Sequence, residues 1–71
     1  MYCFEIKPTA GYTGGCAIIA ATTVEEAIKE FCKDSYNDYI YDFVNCTCNI
    51  IPGLDYNTDT PKIIISSIYV E

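Results

Sequence analysis

The chain has 71 residues, with ten carboxylates against four basic residues, a net charge of −6 and no histidine. It has room for one domain, residues 1–71, and about half of its residues are apolar, which is typical of a globular protein. The lack of a basic cluster disfavours direct binding to nucleic acid or to an anionic membrane surface. Proteins bind the phosphates of nucleic acids and the headgroups of anionic lipids mainly through lysine and arginine side chains.

Two strands are predicted in the first part of the chain. Residues 2–7 alternate between apolar and polar side chains, as in a half-buried strand. Pro8 ends this strand because proline cannot donate a hydrogen bond to the sheet. Residues 9–15 hold three of the four glycines and predict a hairpin loop. Residues 16–21 form the second predicted strand, which is apolar on both faces.

A helix is predicted to begin after Thr23. Thr23 and Glu26 have the spacing of a capping box, in which each side chain satisfies a backbone N–H at the start of the helix. The apolar positions that follow have helical spacing and share one face: Val24, Ala27, Ile28, Phe31 and Cys32. The helix is expected to end at residue 33 or 34.

Residues 35–44 fit two different structures. A helix would place four side chains on one side: Tyr36, Tyr39, Ile40 and Phe43. Tyr39, Tyr41 and Phe43 also alternate as the side chains of a strand do. We favour a short second helix or an irregular turn.

Two more strands are predicted in the last part of the chain. Residues 44–51 alternate between apolar and polar side chains, and Pro52 with Gly53 is expected to end the strand. A polar loop follows over residues 55–60. Residues 62–70 predict a last strand that is apolar on both faces.

These elements predict a small α+β fold of β-β-α-β-β order, with a four-stranded, mainly antiparallel sheet and one helix on one face. The second and fourth strands are apolar on both sides, which favours central positions and a strand order of 1-2-4-3. One helix covers only one face of the sheet. The other face then needs a cover, for which residues 36–43, a second copy of the chain, or both are candidates. We therefore expect a homodimer.

Five cysteines raise the question of a metal site. Cys3, Cys16, Cys46 and Cys48 are the candidate ligands of a four-sulfur zinc site. Cys46 and Cys48 are separated by one residue in a predicted strand, whereas zinc sites use a Cys-x2-Cys turn. Cysteines also serve as small buried apolar residues, which suits Cys32 on the inner side of the helix. We expect neither a metal nor another cofactor.

A signal peptide begins with a positively charged region that is followed by an apolar segment. The start of the chain lacks this pattern and is interpreted as a strand. No apolar run approaches the length of about 20 residues that a membrane-spanning helix needs. These patterns predict a cytoplasmic protein that does not associate with membranes.

The best candidates for an interaction site are the tyrosines and acidic residues of the 35–44 segment. Tyrosine is enriched in the centres of interfaces, and acidic residues suit their rims. The set is Tyr36, Asp38, Tyr39, Tyr41, Asp42 and Phe43. In the alternative interpretation these aromatic side chains only cover the second face of the sheet.

No residues are assigned to catalysis, because no base stands beside a serine, cysteine or lysine in a recognisable arrangement. The sequence therefore predicts a non-enzymatic interaction or regulatory module, which works as a homodimer or on a protein partner. The alternative is a small protein that binds a ligand or a metal through cysteine thiolates.

Residues 20–28, with the sequence AATTVEEAI, resemble a strand-to-helix junction of small α+β proteins. These proteins include antitoxin-type domains with a partly open ribonuclease-H-like fold. The third strand that such antitoxins place before the helix has no counterpart among the predicted elements. No function is carried over from this resemblance.

Overall fold

Six strands and two helices follow one another in the computed structural model, which describes residues 1–71. The strands are β1 (Tyr2–Lys7), β2 (Thr13–Gly14), β3 (Ala17–Ala21), β4 (Thr47–Asp55), β5 (Lys62–Ser66) and β6 (Tyr69–Val70). The helices are α1 (Val24–Phe31) and α2 (Ser35–Phe43). The predicted α+β class is confirmed, and residues 35–43 are helical. Neither helix has the length and hydropathy that crossing a membrane requires.

Four of the strands form one antiparallel sheet in the order β4-β1-β3-β5, and β2 pairs with β6 in a separate ribbon. The predicted order is wrong in one respect, because β4 lies beside β1 and not beside β5. β5 was expected in the centre of the sheet because its side chains are apolar on both faces, but it lies at an edge. β1 is central although Glu5 and Lys7 are polar, since one face of an antiparallel sheet can be exposed to water.

The strand β4 continues through Pro52 and Gly53, where the sequence predicted its end. β4 is an edge strand, and proline is tolerated at an edge because its missing N–H need not pair. The pairing with β1 shifts here, since Tyr2 pairs with Asp55 but Phe4 pairs with Ile50. Extra residues of β4 therefore bulge out of the ladder, and a positive φ of 75° at Gly53 accommodates the bend.

The hydrophobic core lies between the sheet and α1. Its buried side chains come from the two central strands and from the inner side of the helix: Phe4, Ile6, Ala17, Ile19, Ala21, Ala27 and Phe31. We call the side of the sheet that carries Phe4 and Ile19 the helical face. Phe31 is the largest of the fully buried side chains.

The predicted cap of α1 is confirmed, with one difference. The Thr23 hydroxyl accepts a hydrogen bond from the Glu26 N–H at 3.1 Å. The Glu26 carboxylate accepts from the N–H of Thr22 at 2.8 Å, one residue before the expected partner. This backbone hydrogen bond is the main cause that lowers the pKa of Glu26 below its ordinary value. The helix ends at Phe31, slightly earlier than predicted.

Both helices lie on the helical face. α1 packs there through Ala27 and Phe31, and α2 places Tyr41 against the same core. Residues 36–43 therefore do not cover the second face of the sheet. We call this second side of the sheet the open face. By its register it carries Glu5, Ile18 and Ile65, which keep part of their surface exposed, together with Cys3 and Ala20, which are buried.

Candidate interaction surface

The helix α2 is held at both ends by local contacts. The Asp34 carboxylate accepts hydrogen bonds from the N–H groups of Tyr36 at 2.9 Å and Asn37 at 3.3 Å. At the other end the Val44 N–H donates to the Ile40 carbonyl at 3.0 Å. The chain then turns at Asn45, which has a φ of 52°. Asparagine tolerates this left-handed conformation better than most residues.

One side of α2 packs into the protein through Ile40 and Val44, which are both buried. Tyr41 is half-buried on the same side, and its ring centroid lies 6.4 Å from that of Phe31. Burial is the main cause that raises the pKa of Tyr41 above its ordinary value. Tyr41, one of the six predicted interaction residues, therefore belongs with the core.

The other side of α2 presents aromatic rings to solvent. Tyr36, Tyr39 and Phe43 are spaced by three and four residues and so lie along one side of the helix. Their exposed fractions are 62%, 60% and 51%. Tyr12 lies beside them with 46% of its surface exposed. We call these four residues the aromatic face.

Three rings of the aromatic face, those of Tyr12, Tyr39 and Phe43, are in contact in defined geometries. Tyr39 stacks on Phe43 with a centroid distance of 5.3 Å and an interplanar angle of 17°. Tyr12 meets Phe43 edge to face, at 6.5 Å and 66°. Both are favoured arrangements of aromatic pairs. The contacts hold the rings together before any partner arrives, which lowers the entropy lost on binding.

Tyr12 was missed by sequence reasoning, which assigned its segment to a flexible glycine-rich loop. Two hydrogen bonds of Thr9 tie that loop to the end of α2. The Thr9 N–H donates to the Val44 carbonyl at 3.2 Å, and its hydroxyl donates to the Asn45 carbonyl at 2.7 Å. The Tyr12 carbonyl also accepts from the Glu71 N–H at 2.8 Å. An aromatic residue amid glycines and threonines was the only sequence signal.

Acidic side chains flank the aromatic face. Asp38 and Asp42 are exposed and lie one helical turn apart. Asp42 is the neighbour of Tyr39 on the helix surface, whereas Asp38 lies near Cys32. α2 contains no basic residue. The ion pair of the structure joins Lys33 to Glu30 at 2.8 Å and involves neither Asp38 nor Asp42. The surface thus combines exposed rings with unpaired negative charge.

The cysteines are dispersed over the fold. Cys3 is buried in β1, next to Phe4 in the chain and on the opposite face of the sheet, and Cys16 precedes β3. Cys46 and Cys48 pack against the core on the helical face. No three of the Cys, Asp and Glu side chains come together in a group that could hold a metal ion. The structure therefore does not assemble the four candidate zinc ligands.

The thiols on the helical face have raised pKa values. Burial, together with the nearby Asp38 carboxylate, raises the pKa of Cys32 to about 11. Burial alone raises the pKa of Cys48 to about 11, and it also raises the pKa of Cys46. These groups are therefore neutral thiols near pH 7, and a neutral thiol is a poor nucleophile and metal ligand.

An open pocket of 510 Å³ lies at the other end of β1 from Tyr12. Its lining residues come from the start of the chain, the end of β3 and the end of β4: Met1, Tyr2, Thr22, Asp55, Tyr56 and Asn57. The Met1 ammonium donates a hydrogen bond to the Tyr56 carbonyl at 2.8 Å. The sequence predicted no site here.

Comparison with family models, curated proteins and solved structures gives no significant match.

Proposed function

We propose that this protein is a non-enzymatic interaction module that engages a protein partner through the aromatic face of α2. The observation that carries the proposal is the exposure of four aromatic side chains, Tyr12, Tyr36, Tyr39 and Phe43. Tyr12 and Tyr39 both contact Phe43. Large apolar patches are uncommon on the surfaces of soluble monomers and mark interaction sites.

The position of these rings supports the proposal because packing of the fold does not account for them. Ile40, Val44 and Tyr41 already anchor α2 on its inner side. Polar residues in place of the exposed Tyr36 and Tyr39 would remove no contact from the hydrophobic core. Tyrosine supplies a large contact area with a polar tip, which makes it a frequent centre of interfaces.

The chemistry of the thiols supports the non-enzymatic part of the proposal. Nucleophilic catalysis by cysteine needs a thiolate, which requires a lowered pKa and a nearby base. The pKa values of Cys32 and Cys48 move the opposite way. A cytoplasmic location is part of the proposal, since the cytosol keeps such thiols reduced.

A comparison of matched variants tests the proposed surface. The wild-type chain is used to capture partner proteins from an extract of the native host, and these partners are purified. Calorimetry then measures the affinity of each variant of the chain for each partner. We expect Tyr39→Ser/Phe43→Ser to weaken the affinity by at least about 100-fold, because central aromatic residues dominate interface energies. The control is Ile50→Ser/Leu54→Ser, which removes two similarly exposed apolar side chains from β4.

The control should bind the partner as the wild type does. Equal affinity of the Tyr39/Phe43 variant and the wild type for every purified partner would exclude the aromatic face as the binding surface. Circular dichroism of each variant shows that the fold is retained.

We also propose that the chain forms a homodimer through the open face of the sheet. Ile18 and Ile65 are neighbours on this face, and Ile65 leaves 52% of its surface exposed. Pairing the same patch of two copies about a two-fold axis buries both isoleucines.

Light scattering at micromolar concentration should give a dimer mass for the wild type and for Ile50→Lys, and a monomer mass for Ile65→Lys. A wild-type monomer would refute this.

A further inference from the structure

We infer that the partner segment that docks on the aromatic face carries arginine or lysine side chains. The inference rests on the proposed function, since it names the chemistry of the partner for the same surface. It goes beyond an apolar contact because three separate features of α2 favour a cation: its charge, the position of Asp42, and the exposed ring faces.

The first feature is uncompensated negative charge. Asp38 and Asp42 are exposed, and no cationic side chain belongs to α2. The four lysines lie outside α2, and one of them, Lys33, already pairs with Glu30. An acidic segment would meet repulsion at this surface, whereas a basic segment would supply the missing charges.

The second feature is the position of Asp42 in the last turn of α2. The carboxyl end of a helix carries partial negative charge, so a carboxylate there is unfavourable and a lysine or arginine would be preferred. The helix has no basic residue in this turn. Asp42 therefore does not stabilise α2. Residues that contradict a local preference, here the preference for a basic residue in the last turn, are often found at functional sites.

The third feature is the electron-rich faces of the exposed rings. Cations are attracted to the faces of tyrosine and phenylalanine, and the planar arginine side chain also stacks on them. The chain makes such a contact elsewhere, since the Lys62 ammonium lies 5.7 Å from the centroid of Tyr56. Tyr39 and Asp42 are three residues apart and are therefore neighbours on the helix surface, so one cation can contact this ring and this carboxylate together.

Two synthetic peptides test this chemistry on the full chain. Both have about ten residues and the same leucine positions, and one carries four arginines where the other carries four glutamates. Each is titrated into the isotope-labelled protein while amide chemical shifts are followed. We expect the arginine peptide to shift residues 36–43 and to bind at least about 10-fold more tightly than the glutamate peptide. Its affinity should fall several-fold as salt rises from about 0.05 M to 0.3 M.

Matched charge variants complete the experiment. Asp38→Asn/Asp42→Asn should weaken the arginine peptide at least about 5-fold. Asp55→Asn/Asp59→Asn removes the same charge from exposed positions outside α2 and should leave the affinity unchanged. No binding of the arginine peptide, equal binding of the glutamate peptide, or equal effects of the two variants would overturn the inference.

Failure of this inference and failure of the proposed function can be told apart. If a purified partner needs Tyr39 and Phe43 but is indifferent to salt and to the Asp38/Asp42 variant, the basic chemistry is wrong and the interaction surface stands. If the partner is indifferent to Tyr39 and Phe43 as well, the surface itself is wrong.

Discussion

We expect Phe31→Ala to lower the free energy of unfolding by about 3–5 kcal/mol, which is the usual cost of removing a buried phenylalanine ring. Phe31 is fully buried and lies in the core between α1 and the sheet. The single core of a domain of this size rarely supplies more than about 3–5 kcal/mol of net stability. The variant should therefore be largely unfolded at room temperature.

The same substitution at Phe43 provides the matched control. Phe43 is half exposed, and its aromatic neighbours are Tyr12 and Tyr39. Phe43→Ala loses an aromatic pair but gains helix propensity, so the free energy of unfolding should change by less than about 1 kcal/mol. Urea denaturation followed by circular dichroism measures both variants. Similar losses in the two would mean that Phe43 belongs to the core.

The second large effect is expected at Gly15. This residue has a φ of 80°, and an added Cβ would meet the carbonyl oxygen of Ser67. The approach is fixed because the Ser67 N–H and hydroxyl both donate to the Cys16 carbonyl, each at 2.9 Å. Gly15→Ala should therefore cost about 2–4 kcal/mol, from the left-handed backbone and the steric clash together.

Gly53→Ala separates these two causes. Gly53 has a similar φ of 75°, but no atom lies within 4 Å of an added Cβ. Its replacement should cost only about 1 kcal/mol, the usual penalty of the left-handed conformation. Urea denaturation curves of the two variants give the comparison. Equal losses would show that the contact between Gly15 and Ser67 does not constrain the fold.

The sequence predicted α1 well because the signals of that helix are local. The Thr23 cap and the helical spacing of Ala27 and Phe31 act within a few residues of the chain. These contacts do not depend on how distant segments pack. The α+β class followed in the same way from alternating strands around one capped helix.

The strand order was less predictable because it depends on contacts between distant segments. The side chains of β5 are apolar on both sides, yet β5 lies at an edge with Ile65 half exposed. Alternation reports which faces of a strand meet water and does not identify its neighbours. The passage of β4 through Pro52 depends likewise on an edge position that the sequence does not encode locally.

The candidate surface was predicted in part. Helical spacing identified Tyr36, Tyr39 and Phe43, but it also grouped them with Ile40, which the structure buries. The alternative of a strand over residues 35–44 had grouped Tyr41 with Tyr39 and Phe43, but Tyr41 lies against Phe31. The division became visible only once the packing of α2 on the core was known, because a helix rich in aromatic residues all round has no unique inner side.

Chemical-shift mapping of the complex tests the central claim most directly. The isotope-labelled protein is titrated with the purified partner, and the amide signals of all residues are followed. The largest shifts should fall on residues 36–43 and Tyr12, with little change around the pocket lined by Tyr2, Asp55 and Tyr56. Shifts confined to that pocket or to the open face of the sheet, with α2 unaffected, would contradict the account.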